Sequence, residues 1–320
     1  MAIGDAIVDV IARADDSFID ARGFAKGSMR LLTSDEARDL YRAMGPAREI
    51  SGGSAANSMA GAAALGLNAT FMGQVADDQL GAIFAHDMRA LGVRFETPAI
   101  PSPPPTGRCL ILVTPDAQRT MSTYAGASHE LKVSALDQDL IRSASVTFLE
   151  GYLWGPERPR AAMLEAARIS HSAARTVAFT LSESLCISNR REGVLGMIRS
   201  RMIDILFGNE HEICHLTGCE DLADSIAALS CDVATLVVTR GANGAIGIDN
   251  GARIEIPAAP VERVIDTTGA GDQFAAGFLA ARCRGRDLAN CLDVGAICAA
   301  EVISHFGARP EASLKELTSL

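Results

Sequence analysis

From Leu131 onward the chain alternates short apolar runs with amphipathic stretches, and this rhythm limits the fold more than any other feature. Strand patterns at 146–150, 177–180, 203–208 and 236–239 are separated by helical patterns at 156–171, 188–200 and 221–229. Short apolar strands with a helix between each pair predict a mostly parallel sheet covered on both faces. A glycine-rich stretch at 269–277 opens another long helix, and 288–304 forms one more. The first part of the chain is less uniform. A strand is expected over 2–10, a small-residue helix over 53–65, a strand over 69–75, and a helix over 79–91 behind Asp78 as its cap. Two inserts interrupt this order. Residues 11–50 hold short apolar runs and one helix over 34–44. Residues 93–124 hold Pro101, Pro103, Pro104 and Pro105, then a hairpin of strands 108–114 and 119–124 around the turn Pro115-Asp116-Ala117-Gln118. The fold class predicted is α/β: a three-layer α/β/α domain with a mostly parallel central sheet, plus a small β-sheet lid. Residues 1–10, 51–92 and 125–320 are assigned to the core, and 11–50 and 93–124 to the lid.

Composition narrows the function classes. Apolar residues make up 48% of the 320, enough for a large core without disulfides or structural metal. A net charge of −10 argues against nonspecific binding to nucleic acid or a membrane surface. It leaves local anion binding open, because backbone N–H groups need no basic residue. No basic region followed by an apolar core opens the chain, so no signal peptide is expected. The most apolar stretch, 54–76, contains Asn57, Asn68, Gln74 and several glycines, and reads as helix, turn and strand rather than a membrane span. None of the eight cysteines pairs as CxxC. Reduced thiols in a cytoplasmic protein are expected.

The strongest local signal is Asp266-Thr267-Thr268-Gly269-Ala270-Gly271-Asp272-Gln273-Phe274. The first N–H groups of a helix lack intrahelical partners, and the dipole leaves positive potential there. Gly269 and Gly271 would let a phosphate approach that backbone, with Asp272 beside it in the first turn. Taken alone, Gly-Ala-Gly-Asp also fits an ordinary helix start. No GxxxxGK[ST] loop is present. A second signal is Ser51-Gly52-Gly53-Ser54-Ala55-Ala56-Asn57 ahead of a helix, where Asn57 offers a donor and an acceptor. A third is Asp9, at the end of the first strand pattern. Ligands bind at the carboxyl ends of parallel strands, and a carboxylate there suits a vicinal diol, although a turn residue is the plainer reading.

The fourth signal, Asn209-Glu210-His211-Glu212, follows a strand pattern directly. Amide and carboxylate oxygens suit Mg²⁺. The same stretch spells His211-Glu212-Ile213-Cys214-His215, the HExxH of zinc metalloproteases. That hydrolase reading lacks a third ligand, and places the motif in a short turn rather than a long helix.

Together these motifs resemble the ribokinase-like, or PfkB, family of carbohydrate and nucleoside kinases over nearly the whole chain. Asp266–Asp272 is similar to the family's C-terminal signature and Gly52–Asn57 to its N-terminal one. Asn209–Glu212 looks like its NxxE motif, and 238–245 like its ATP-contacting strand and turn. Residues 75–81, 119–127 and 149–154 look most like bacterial adenosine-kinase-type members. Two departures stand out: only three residues precede Gly4, and His211 stands where a small or neutral residue is expected.

The resemblance implies transfer of the ATP γ-phosphoryl group to a primary alcohol of a nucleoside, adenosine first, with a sugar kinase as the alternative. It casts Asp272 as general base, and the N–H groups of Gly269, Ala270 and Gly271 as an anion hole. Asp9, Gly53 and Asn57 would bind sugar hydroxyls. Asn209 and Glu212 would hold Mg²⁺ through water, and Asn209, Thr239, Gly241, Gly244 and Thr267 would contact ATP. The adenine would lie near Thr239, Gly241 and residues 299–307. Arg119 either closes over the phosphates or remains a solvated hairpin charge. The lid residues Phe18, Phe24, Met29, Leu31, Leu112, Met121 and Tyr124 supply its own core and, in part, an apolar face suited to a purine. A monomer or homodimer acting on a small molecule, with no nucleic-acid or membrane partner, is expected. A noncatalytic binder on the same scaffold is disfavoured by the intact Asp272 and Asn209/Glu212.

Overall fold

The computed structural model describes residues 1–116, 118–182 and 190–320. Its strands, in chain order, are β1 (Ala2–Ile3), β2 (Ile7–Arg13), β3 (Met29–Leu31), β4 (Ala47–Gly52), β5 (Thr70–Met72), β6 (Arg94–Phe95), β7 (Gly107–Val113), β8 (Arg119–Tyr124), β9 (Val146–Glu150), β10 (Thr176–Thr180), β11 (Ile205–Asn209), β12 (Thr235–Thr239), β13 (Ala245–Asp249) and β14 (Ala252–Ile256). A nine-stranded sheet runs β14-β13-β12-β11-β10-β9-β1-β5-β6, and a second, five-stranded sheet runs β3-β8-β7-β2-β4. In the large sheet, among the described residues, only β12–β13 and β13–β14 are antiparallel. This is the expected three-layer α/β/α architecture with a smaller β-sheet beside it.

The parallel strands are buried on both faces, and the register shows how. Ala2, Phe71, Phe148, Ala178 and Ile205 belong to one apolar cluster. Their immediate neighbours Ile3, Met72, Leu149, Phe179 and Leu206 belong to another. Successive strand residues point to opposite faces, so each strand feeds both cores. The helices Ser54–Ala64, Ala270–Cys283 and Leu288–Val302 cover the first face; Glu157–Ser172, Arg191–Arg199 and Leu222–Ser230 cover the second. On the first face the Phe207 ring meets Phe148 and Phe278 edge-on at 5.9 and 5.3 Å, an arrangement aromatic quadrupoles favour.

The single strand expected over 2–10 is two strands in two sheets. β1 lies between β5 and β9 in the large sheet, whereas β2 pairs with β4 and β7 in the small one. The crossing is at Gly4, where an added Cβ would stand 2.2 Å from Glu150 Oε2. The same Cβ would also stand 2.6 Å from Ala55 Cβ, so a larger residue would have to displace both neighbours. Asp9 therefore sits inside a strand of the small sheet, opposite Ile50 and Cys109, not at the carboxyl end of a core strand. Residues 94–95 likewise pair with β5 at the edge of the large sheet.

Other expectations hold with shifted ends. Thr33 and Glu36 form a capping box for the helix Ser34–Ala43, and Asp78 caps Gln79–Ala90 through Gly81 N–H. The hairpin pairs β7 with β8 antiparallel; Ala117 of its turn lies outside the described residues, as do Ser188 and Asn189 of the helix expected over 188–200. None of the seven cysteines among the described residues is in a disulfide; Cys186 lies outside them. No described helix is long and apolar enough to cross a membrane.

Candidate active site

Two helix starts face each other across the mouth of the large sheet. One is Ala270–Cys283, whose N-cap Gly269 is left-handed at φ +79°. A Cβ there would lie 2.6 Å from Ala308 Cα, so only glycine fits. At Gly271 a Cβ would meet nothing within 4 Å. That open space lies against the first N–H groups of a buried helix, and an anion's oxygens fit it. The other start is Ser54–Ala64, N-capped by Gly53. Asp272 bridges the two: its Oδ1 accepts from Ser54 Oγ at 2.6 Å and its Oδ2 from Asn57 Nδ2 at 2.9 Å. Gln273, fully buried, locks the pair by donating to Asn57 O and Ala308 O at 3.0 and 2.9 Å.

Burial raises the Asp272 pKa, while the bonds from Ser54 and Asn57 and the charge of Arg309 lower it. Asp9 is pushed up to about 6 by burial, against Arg309 and Arg119 and with help from Asp272. Glu150 is raised well above its ordinary value by burial and by the charge of Asp5. Its Oε2 accepts from Ala55 N at 2.8 Å, and its Oε1 has no partner among the described residues.

A cavity of about 950 Å³ joins these groups and is lined by residues of both sheets. It gathers Asp9, Gly53, Asn57, Asn209, Glu212, Thr239, Thr267, Gly269, Gly271 and Asp272, most of the positions the sequence singled out. Of the remaining ones, Ala270 is the first residue of the helix behind Gly269. Gly241 and Gly244 form the turn from β12 to β13 at φ +54° and +81°, and are not in the cavity wall. Arg119 is not a solvated charge: its side chain is 12% exposed and its Nη1 contacts Asp266 Oδ2 and Thr268 Oγ1, both at 3.0 Å. Asp266 is a clip, accepting also from Thr268 N and Gly307 N at 3.0 and 2.9 Å.

Asn209 and Glu212 close a capping box at the start of the helix Glu210–Thr217, with Asn209 Oδ1 accepting from Glu212 N at 2.9 Å and Glu212 Oε2 from Asn209 N at 3.0 Å. Both still border the cavity. Oxygens already carrying one hydrogen bond fit a hydrated Mg²⁺ held through water better than a bare one. Among the described residues no three His, Cys, Asp or Glu side chains converge to hold a metal, so HExxH finds no third ligand there.

The far wall, from the small sheet, is different in kind. Ile7, Met29, Leu31, Ile111 and Met121 give it an apolar face, and Leu31 is 70% exposed. The lid side chains divide as expected: Phe18, Phe24 and Tyr124 pack against a core that buries Leu112, while Met29, Leu31 and Met121 line the cavity.

Sequence reasoning missed Ser54, Glu150, Asp5 and Arg309. Glu150 left a signal, a charge ending an apolar strand. Arg309 left none: it stands in a loop after the helix Leu288–Val302, and only the fold returns it to the site.

Residues 31–314 match the pfkB family carbohydrate kinases. The crystal structure of adenosine kinase from Sinorhizobium meliloti is 45% identical, with a TM-score of 0.93, covering 99% of this chain and 97% of that one. A probable sugar kinase from Rhizobium etli is 42% identical, with a TM-score of 0.93, covering 99% and 96%. A nucleoside kinase of Methanothermobacter thermautotrophicus is 30% identical over 247 residues, 76% of this chain and 75% of the relative.

Proposed function

The chain belongs to the pfkB family of carbohydrate kinases, and from that premise we propose that it transfers the γ-phosphoryl group of ATP to the 5′-hydroxyl of adenosine. The observation that carries the kinase chemistry is Asp272, held by Ser54 and Asn57 at a helix start whose neighbour Gly271 opens to the cavity. Phosphoryl transfer asks mainly for positioning and charge stabilisation. Asp272 accepts the hydroxyl proton as the alcohol attacks. Burial raises its pKa and so strengthens it as a base. The N–H groups of Gly269 and Gly271 face the charge that develops on the transferred group, whereas Ala270 N–H, expected to join them, donates to Thr267 O at 3.2 Å. Arg119 closes the same side from the small sheet through Asp266 and Thr268. Asn209 and Glu212 would hold Mg²⁺ through water, where the ion neutralises phosphate charge. Thr239 and Thr267 in the cavity wall, with Gly241 and Gly244 in the turn that follows β12, form the nucleotide end. The setting is the cytoplasm, and the active unit a monomer or homodimer.

Adenosine, rather than a free sugar, is favoured by the pairing of two walls. Asp9 and Asn57 offer partners for a 2′,3′-diol. Met29, Leu31 and Met121 offer an apolar face for a flat base. Free ribose would leave that face against water. At about 25 cal/mol per Å², covering a purine supplies a few kcal/mol, on the order of 10²-fold in discrimination. The 45% identity to an adenosine kinase supports the same reading; the 42% identity to a probable sugar kinase favours the second one. A coupled ADP-release assay over adenosine, 2′-deoxyadenosine, ribose and fructose decides. Adenosine is expected to lead in kcat/KM, and 2′-deoxyadenosine to trail it for want of one hydroxyl to Asp9. A free sugar as best acceptor overturns the nucleoside assignment.

A further inference from the structure

Arg309 lies outside the cavity wall, yet it touches what stands behind it. Its Nε donates to Asn57 Oδ1 at 3.2 Å, its Nη1 to Ser51 Oγ at 2.9 Å, and its Nη2 lies 3.7 Å from Met88 Sδ. One side chain from the C-terminal loop thus spans β4 and the helices Ser54–Ala64 and Gln79–Ala90. The loop is itself held: Glu301 Oε1, on the buried side of the helix Leu288–Val302, accepts from Glu311 N and Ala312 N at 2.8 and 2.7 Å and from His305 Nε2 at 3.2 Å.

We infer that Arg309 is the positioning residue for the acceptor site, acting through Asn57 and through the charges of Asp9 and Asp272. An amide has two ends. With Arg309 donating to Asn57 Oδ1, the Asn57 NH₂ group is left to face Asp272 Oδ2 at 2.9 Å. Without that donor, the amide can turn over and present its oxygen to a carboxylate, which is repulsive. The Arg309 charge also offsets the crowding of acids that share this corner. Asp9 on β2 faces Arg309, Arg119, Asp272 and the Cys109 thiol. Asp272 faces Arg309 and Glu150, and Glu150 faces Asp5. Burial lowers the Arg309 pKa, while Asp9, Asp87 and Asp272 hold its charge in place. Arg309 pulls the Asp9 and Asp272 carboxyls toward ionisation, the form that the diol contact and the base both need.

The inference rests on the reading of Asp272 as base and Asn57 as acceptor ligand, not on which acceptor is used. The test therefore takes whichever acceptor the unmodified enzyme turns over best. Initial rates of ADP release are followed across pH for the unmodified enzyme, Arg309→Gln and Arg309→Lys. For Arg309→Gln, acceptor KM is expected to rise about tenfold while ATP KM stays within about twofold. The acid limb of kcat/KM should move up by at least about half a pH unit, because removing a cation raises the carboxylates. Arg309→Lys keeps the charge but not the two-donor fork. It should return the limb and retain a raised acceptor KM, and it stands alone if Arg309→Gln does not fold. In an Asn57→Ala background, Arg309→Gln should cost less than about threefold more in kcat/KM. Unmoved limbs with native acceptor KM in both variants overturn the inference, as does full additivity with Asn57→Ala.

Discussion

The cavity has two walls built on different physical terms. The wall of helix starts is polar and fixed: Asp272, Ser54, Asn57 and Gln273 are tied by hydrogen bonds of 2.6 to 3.0 Å, with glycine admitting the backbone. The wall from the small sheet carries Asp9 on β2 but is otherwise mainly apolar, and its Leu31 is 70% exposed. Preorganised polar groups lower a barrier by standing where charge will develop. An apolar face has no such direction, and acts only through the area it removes from water. The first wall suits the chemistry common to any alcohol. The second suits the choice among alcohols.

The comparison breaks most sharply at Asp272. Asp272→Asn keeps the shape and leaves an acceptor for Ser54 Oγ, but cannot take a proton. Turnover should fall by at least about 10²-fold, the usual scale for a lost general base, while acceptor binding by calorimetry persists. Near-native turnover would remove Asp272 from the base role and leave the polar wall as a binding surface alone.

On the opposite wall the expected effect is smaller and selective. Leu31→Ser removes apolar area without opening the core, since Leu31 is mostly exposed. Partial cover of a leucine by a ligand is worth about 1 kcal/mol, so adenosine KM should rise about fivefold. Ribose, which does not reach that face, should show the same KM in both proteins. A KM that rises equally for both would mean the two walls do not divide the work.

The two walls also differed in how far the sequence revealed them. The helix starts were legible because glycine, small residues and an acid ahead of an apolar helix make a local pattern, although the left-handed Gly269 and its fit against Ala308 come only with the fold. The parallel sheet was legible for the same reason, since its strands carry their own apolar runs. The small sheet was legible in its existence and its hairpin, but not in its strand β2. β2 reads as a continuation of β1, and only the crossing at Gly4 beside Glu150, 146 positions later in the chain, sends it into the other sheet. Arg309 is the extreme case. Its partners Ser51 and Asn57 lie more than 250 positions away, and no local pattern encodes such a contact.

The smallest effect is expected where neither wall is touched. His211 and His215 stand four apart on the helix Glu210–Thr217, the spacing that HExxH needs for a shared zinc. His211 is exposed, and the cavity wall takes Asn209 and Glu212 from this segment but neither histidine. A zinc site would require a third ligand, and among the described residues no such cluster forms. Magnesium chemistry at Asn209 and Glu212 draws instead on hard oxygen donors, which imidazole does not supply. His211→Ala and His215→Ala, singly and together, should therefore leave kcat per folded enzyme within about twofold of native. EDTA should abolish activity in all of them, and Mg²⁺ alone should restore it. Metal analysis of the purified protein by mass spectrometry gives the second reading. A stoichiometric zinc that disappears together with activity in the double variant would move the chemistry off the two facing walls and onto this helix.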